Sequence, residues 1–202
     1  ASGKKTKKMI KGGQQVQGPA HIVHGDYTLT SAPERLRQLA KPAGKNDTLR
    51  LILGKSNSLL SQDSVNETIS NGRFAIINLW RNIVEHPVEI NPLALCDAST
   101  VSPDDLVVFE IHYTDRIGEN YFAKHNKNHE WYYFNKMTKD EALLIKQWDS
   151  HGSIAKSNGK LSDNESIDNP CTFSFHSAFE DPSTREDAPD RWSMEVRCIV
   201  IY

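Results

Sequence analysis

Segments of strand-forming residues recur from residue 19 to the end of the chain, and they constrain the fold more than any other feature. Six such segments are rich in β-branched, aromatic and other apolar side chains, namely residues 19–30, 73–80, 106–113, 130–134, 171–177 and 191–201. Many strands with few helices indicate a mainly β protein. The pattern predicts an antiparallel β-barrel or jelly roll with a few helices packed outside.

Two segments carry the signature of a helix start. In Ser31-Ala-Pro-Glu34, a serine cap is followed by an early proline and by a glutamate three residues on, which predicts a helix that ends at Lys41-Pro42. Thr138-Lys-Asp-Glu141 is a second capping box and predicts a helix through Ala142–Ile145. Residues 150–170 are rich in Ser, Asn, Asp and Gly, which predicts a mobile loop.

Length and composition favour one domain. A chain of 202 residues, of which 38% are hydrophobic, can bury one sizeable core. We therefore expect a single domain over residues 19–202, preceded by a flexible basic segment over residues 1–18. The chain has no initiator methionine and its first candidate ligand comes early, so we also expect natural sequence before residue 1.

Charge and cysteine content exclude several classes of partner. The formal net charge of −2 argues against nucleic acid or an anionic membrane surface as the main partner. No apolar run approaches the roughly 18 residues that a membrane span needs. The three cysteines show no CxxC spacing, which favours a reducing, cytoplasmic location. We expect a partner that is a small molecule, and the oligomeric state stays open.

The tripeptide His24-Gly25-Asp26, taken with the distant His176, predicts a metal site. Side-chain direction repeats every second residue in a strand, so His24 and Asp26 point to the same side. Two imidazoles and one carboxylate are the ligand set that binds Fe(II) on one face and leaves positions open for other ligands. Either histidine alone is more typical of a hydrogen-bonded structural residue. The three residues together favour the metal site.

The last predicted strand carries a row of polar side chains. Alternation places four of them on one face, namely Arg191, Ser193, Glu195 and Arg197. Such a row is costly to bury unless its members pair with one another or with a ligand. A guanidinium suits a carboxylate because its planar fork donates two parallel hydrogen bonds, and a nearby serine hydroxyl can add a third. Arg191 with Ser193 is our first candidate for such a ligand, Arg197 competes with it, and a salt bridge to Glu195 is the structural alternative.

Other motifs carry less weight. His125 and His129 have a metal-like spacing, but they lie in a Lys/Asn-rich turn that lacks a neighbouring acid or cysteine. The sequence has no Gly-x-Ser-x-Gly elbow, no P-loop and no GxGxxG, which removes the usual hydrolase, kinase and dinucleotide-binding interpretations.

Most of the chain resembles the hydroxylase/desaturase family typified by AsaB and CmcJ, which belongs to the Fe(II)/2-oxoglutarate-dependent oxygenases. His24-Gly-Asp-Tyr-Thr28 is similar to the proximal metal motif of that family. Further matching stretches run from residue 73 to the end, namely residues 77–81, 92–97, 131–134, 141–146, 149–150, 176–182 and 187–197, the part from 176 to 197 being the most specific. Asn82 and Asn135 depart from the family pattern.

The resemblance implies a double-stranded β-helix (a cupin-like jelly roll) and an oxidoreductase of natural product biosynthesis. Iron held by His24, Asp26 and His176 would chelate 2-oxoglutarate, whose distal carboxylate would lie on Arg191 and Ser193, with Arg197 as the competing candidate. With O2 as oxidant, the implied dioxygenase would hydroxylate, desaturate or cyclise a small, carboxylated, amino-acid-derived metabolite. We expect Trp80, Arg81 and Tyr133 near the substrate, with Arg81 suited to an acidic one.

Two other interpretations remain open at this point. The chain could be a non-catalytic jelly-roll module that binds a small molecule and has lost the chemistry. More weakly, the lysine-rich start could guide an oxygenase to a protein or to nucleic acid.

Overall fold

The structure, a computed structural model of the chain, describes residues 18–44, 47–112 and 117–202. The predicted basic segment, residues 1–18, lies outside the described residues except for its last residue. Within the described ranges, nine strands lie in two sheets whose strand pairs are all antiparallel. The prediction of a mainly β fold with few helices is confirmed.

The first sheet has six strands in the order β4-β5-β1-β8-β3-β6. Its strands are β1 (His24–Gly25), β3 (Leu93–Cys96), β4 (Leu106–His112), β5 (Ile117–Ala123), β6 (Trp131–Tyr133) and β8 (His176–Ala178). The second sheet has the order β7-β2-β9. It consists of β2 (Phe74–Asn82), β7 (Ala142–Asp149) and β9 (Ser193–Ile201).

Four α-helices lie among the described residues: α1 (Ser31–Gln38), α2 (Leu49–Leu53), α3 (Gln62–Ser70) and α4 (Ser153–Lys156). Helix α1 buries Ala32 and Leu36 in the main core, which also takes in Val65 of α3. The predicted serine cap of α1 does not form. Ser31 instead accepts a hydrogen bond from the Thr28 backbone N–H and donates one to the Glu119 carbonyl, so it fastens the helix start to β5.

The helix predicted after Thr138 is wrong, because residues 142–149 form strand β7. The predicted capping contact does exist: the Thr138 backbone N–H donates to the Glu141 carboxylate at 2.8 Å, but it closes a turn. Beyond that turn the side chains of Leu143 and Ile145 are buried, whereas Leu144 between them is 70% exposed. Pairing with β2 along most of its length therefore overrides the local helix signal.

Residues 150–170, predicted as a loop, contain the short helix α4 and pack against the strand region before His176. The Asp163 carboxylate accepts hydrogen bonds from the Ile154 backbone N–H and from both the backbone N–H and the hydroxyl of Thr172. Burial raises the pKa of Asp163 above its ordinary value. This buried carboxylate ties both ends of the loop to the core.

Replacing Gly152 with alanine is expected to destabilise the fold strongly. A Cβ atom there would lie 2.1 Å from the Thr172 hydroxyl oxygen and 2.4 Å from its Cα, so backbone would have to move. Overpacking of this kind costs about 3 kcal/mol of unfolding free energy. Gly44→Ala is the matched control, since a Cβ at Gly44 meets nothing within 4 Å. Urea unfolding with equal midpoints for the two variants would contradict the expectation.

Two apolar clusters fill the space next to the three-stranded sheet. The main cluster includes Phe74 and Ile76 near the start of β2, and the second includes Trp80 further along the same strand. Asn78 lies between them and is fully buried. A polar layer thus separates the two apolar clusters, and it coincides with the site described next.

No helix in the described part of the chain has the length and apolar character that crossing a membrane requires.

Candidate metal centre

Strands β1 and β8 bring the two predicted histidine ligands together. His24 and His176 are direct partners in this antiparallel pair, so their side chains leave the sheet on the same face. Their ring centroids lie 4.4 Å apart. A distance of 152 positions in the sequence therefore becomes a direct contact because the two strands are neighbours.

Asp26 completes a cluster suited to one metal ion. His24, Asp26 and His176 each offer one ligand atom, and these three atoms lie within 4.8 Å of one another. The Nδ1 atoms of both rings face backbone carbonyls, that of His24 at 2.8 Å from Ile22 and that of His176 at 3.5 Å from Ser174. Because a carbonyl oxygen only accepts, Nδ1 carries the hydrogen and Nε2 presents its lone pair for a metal.

The two oxygens of Asp26 have different surroundings. Oδ1 faces His24 Nε2 at 3.7 Å, whereas Oδ2 accepts from Arg197 Nη2 at 2.9 Å and from Asn78 Nδ2 at 3.1 Å. Hydrogen bonds to the outer oxygen orient a ligating carboxylate and leave the inner oxygen for the ion. The arrangement fits a carboxylate that binds metal through one atom.

The charge states of the cluster suit a divalent cation. Burial alone would raise the pKa of Asp26, but Arg197, His176, His24 and the Asn78 hydrogen bond outweigh it and hold that pKa below its usual value. Burial lowers the pKa of His176 to about 4, despite the opposing charge of Asp26. At neutral pH the site therefore holds an ionised carboxylate and a neutral His176, and no proton has to leave either group when a metal binds.

Gly25 lets the ligand strand lie directly on the core. A Cβ at this position would come within 3.1 Å of the Phe173 ring. Phe173 and Phe175 are both buried in the main core. The regular strand here covers only His176–Ala178, so the apolar side chains before it turn into the molecule.

The three-stranded sheet supplies the opposite wall of the site. Direct strand partners share a face, and Asn78 lies opposite Arg197, Trp80 opposite Glu195, and Asn82 opposite Ser193. The polar row predicted for the last strand therefore lies on the inner face. Glu195 pairs with Asn78, whose Nδ2 donates to Glu195 Oε1 at 2.7 Å.

The structure separates the two competing arginines. Arg197 binds the candidate ligand Asp26, and its guanidinium also lies over the Tyr27 ring at 5.6 Å from the centroid. Arg191 lies further along the wall, with its guanidinium 5.6 Å from the centroid of the Trp80 ring and a hydrogen bond to the Asn91 carbonyl. Ser193 is directly opposite the fully buried Asn82.

Of the three residues predicted near the substrate, Trp80 lies on the inner face. Arg81 follows Trp80 in β2, so its side chain points to the opposite face of the sheet, where it donates to the Lys139 and Asn82 carbonyls. Tyr133 is opposite Ala94, which is itself opposite Ser177, so it lies on the sheet face turned away from His176. The structure thus brings Trp80 towards the metal cluster and does not bring Arg81 or Tyr133 there.

Sequence reasoning missed two buried amides beside Asp26. Asn78 donates a hydrogen bond to the Asp26 carboxylate, and Gln147 Oε1 accepts one from the Asp26 backbone N–H at 3.3 Å. The available signal was a polar residue at an inward position between Ile76 and Trp80. Among the other histidines, His129 is engaged by Asp105 at 3.0 Å, which accounts for it without a metal.

A cavity of about 520 Å³ borders the cluster on the side of Asp26 and Arg197. Its wall includes Tyr27, several side chains of α1, and Glu119 of β5.

The fold and the site together define a class: a mainly antiparallel β protein whose facing sheets enclose a two-histidine, one-aspartate cluster suited to a mononuclear metal. The chain belongs to the family described as "Oxidoreductase/YMDC permease-like domain", whose model matches residues 53–201. The resemblance to the AsaB/CmcJ-like hydroxylases and desaturases is confirmed by relatives named hydroxylase/desaturase, among them asaB and poxK.

The chain is 31% identical over 143 residues to hydroxylase/desaturase asaB of Aspergillus flavus, covering 64% of this chain and 56% of the relative. It is 37% identical over 134 residues to aspirochlorine biosynthesis protein N of Aspergillus oryzae, covering 65% and 49%. Among solved structures it is similar to the iron and alpha-ketoglutarate-dependent endoperoxidase NvfI, with a TM-score of 0.64, 26% identity, and coverage of 96% of this chain and 57% of the other. The chain spans about half the length of the curated relatives that it matches.

Proposed function

We propose that residues 19–202 form a single double-stranded β-helix domain of an Fe(II)/2-oxoglutarate-dependent oxygenase. The observation that carries the proposal is the convergence of His24, Asp26 and His176 on one point. Their donor set is the one that suits a non-haem Fe(II) oxygenase. The names of the similar proteins support the same chemistry, since NvfI is an iron and alpha-ketoglutarate-dependent enzyme.

The polar inner wall supports 2-oxoglutarate as the co-substrate. Arg197 lies beside Asp26, and Arg191 lies at Trp80, which is two residues from Asn78 along β2. Two residues of a strand span about 7 Å, which is comparable to the length of a five-carbon diacid. We propose Arg191 with Ser193 for the distal carboxylate and Arg197 for the end next to the metal.

Bound Fe(II) and 2-oxoglutarate would supply the oxidising chemistry that amino-acid side chains lack. The contribution of this chain is to position and to exclude water. His24 and His176 present Nε2, Arg197 and Asn78 hold Asp26 Oδ2 so that Oδ1 faces inward, and Trp80 closes the inner wall with an apolar surface. We propose that the substrate is a small metabolite, which is oxidised at a C–H bond and is thereby hydroxylated, desaturated or cyclised. The names hydroxylase/desaturase and biosynthesis protein among the relatives support this proposal.

Calorimetric titration and product analysis test this function. The purified chain is titrated with Mn(II), an inert surrogate, and is then incubated with Fe(II), 2-oxoglutarate and O2 while succinate is measured. Saturable one-to-one Mn(II) binding and iron-dependent succinate are expected. Metal binding without succinate would leave a non-catalytic binding module, and no metal binding at all would remove the proposal.

A further inference from the structure

A β-bulge places Gln147 beside the metal cluster. Along the β2–β7 pair, Ile76 lies opposite Trp148 and Ile77 lies opposite Lys146, so Gln147 is an extra residue without a strand partner. A bulge breaks the alternation of a strand and re-aims a side chain, and bulges are frequent next to active sites. Because of the bulge, three consecutive residues are buried, namely Gln147, Trp148 and Asp149.

Only one end of the Gln147 side-chain amide has a hydrogen-bond partner among the described residues. It is fully buried, and Oε1 accepts from the Asp26 backbone N–H at 3.3 Å. Because an N–H group only donates, this contact fixes which end of the amide is the oxygen. Nε2 then points elsewhere, and it is a buried donor that has no hydrogen-bond partner among the described residues.

Asn78 has the complementary arrangement on the neighbouring strand. Its Nδ2 donates to Asp26 and to Glu195, and its Oδ1 is buried with no acceptor contact in the described part of the chain. Asn82, also fully buried on β2, makes full use of its amide: Nδ2 donates to the His86 carbonyl and Oδ1 accepts from the Val84 N–H. Buried amide atoms are normally paired, so the free donor of Gln147 and the free acceptor of Asn78, both on residues that contact Asp26, require an explanation.

We propose that Gln147 is a co-substrate-binding residue, whose Nε2 donates a hydrogen bond to a carboxylate oxygen of a 2-oxo acid bound at the metal. The inference rests on the proposed function. A donor-only end matches an acceptor-only carboxylate, and a neutral amide can be buried beside Asp26 at less cost than a second cation. Its Oε1 meanwhile holds the backbone of a metal ligand, so one side chain aligns metal and co-substrate.

The test compares two variants by calorimetry. Gln147→Glu keeps an acceptor for the Asp26 N–H and replaces the donor by an oxygen, whereas Gln147→Met removes both polar ends without adding charge. Each variant is titrated first with Mn(II) and then, loaded with Mn(II), with 2-oxoglutarate under argon. We expect Mn(II) affinity not to fall in Gln147→Glu, and 2-oxoglutarate affinity to fall at least tenfold in both variants, equal to about 1.4 kcal/mol.

Gln62→Glu is the control for the amide-to-acid exchange, because Gln62 is exposed on α3, where its amide donates to Asn66, and its 2-oxoglutarate affinity should stay that of the wild type. A loss of less than tenfold in either variant would overturn the proposal and indicate that Nε2 faces an internal water. A parallel fall of Mn(II) and 2-oxoglutarate affinity in Gln147→Glu would also overturn it, because Gln147 would then only position Asp26. Failure of the proposed function itself is distinguishable because it appears in the wild-type chain, which would then bind no Mn(II) or form no iron-dependent succinate.

Discussion

Replacing His176 with alanine is expected to abolish metal binding and, with it, iron-dependent succinate formation. The variant removes one of three side chains whose ligand atoms lie within 4.8 Å of one another. Loss of a residue that merely supports a metal ligand costs about 10- to 100-fold in affinity, so loss of a ligand should exceed that range. Titration with Mn(II) and measurement of succinate from 2-oxoglutarate are the two readouts.

His112→Ala is the control for this variant. His112 lies at the end of β4, its side chain is 67% exposed, and it pairs with Glu110. Its removal should leave both readouts at wild-type values. Thermal unfolding of His176→Ala must remain cooperative, so that lost binding reports the missing ligand. Mn(II) affinity within threefold of wild type in a folded His176→Ala protein would end the metal assignment.

Replacing Arg191 with methionine is expected to weaken 2-oxoglutarate binding and to leave metal binding intact. Methionine keeps the apolar contact with the Trp80 ring and removes the charged fork. Truncating one partner of a hydrogen-bonded charge pair costs about 2 kcal/mol or more, which corresponds to an affinity loss of about 30-fold. The measurement is calorimetric titration of 2-oxoglutarate into the Mn(II)-loaded protein.

Arg197→Met separates the two candidates that the sequence left open. Because Arg197 holds Asp26 Oδ2 at 2.9 Å, its loss should lower Mn(II) affinity as well as 2-oxoglutarate affinity. Arg185→Met, at an exposed arginine paired with Glu89 and Asp187, should change neither. If Arg191→Met binds 2-oxoglutarate normally while Arg197→Met does not, the distal carboxylate belongs to Arg197.

Local sequence predicted the parts of the site that depend on spacing. His24 and Asp26 could be placed on one side because alternation is a property of any strand. The same argument put Arg191, Ser193, Glu195 and Arg197 on a common face, and the structure has Ser193, Glu195 and Arg197 opposite inward residues of β2. These inferences needed no knowledge of neighbouring strands.

Features that depend on neighbouring strands and on core packing could not be predicted from the local sequence. The capping box at Thr138 exists as a contact, yet residues 142–149 are a strand because β2 offers a partner along most of their length. Phe173 and Phe175 alternate with polar residues, but only packing in the core decides that their side is the inside. Local propensity amounts to a fraction of the energy that pairing and burial contribute.

The mainly β character, the common direction of His24 and Asp26, and the arginines of the last strand could be predicted from residue type and short-range periodicity. The choice of His176 as the third candidate ligand also needed the resemblance to a known family. Only the tertiary structure decided that residues 24 and 176 are strand partners, that Asn78 and Gln147 serve Asp26, and that Arg81 and Tyr133 lie elsewhere. These facts depend on strand order, register and one bulge. Such features are set by which distant segments bury each other's surfaces, and this long-range competition leaves no local trace in the chain.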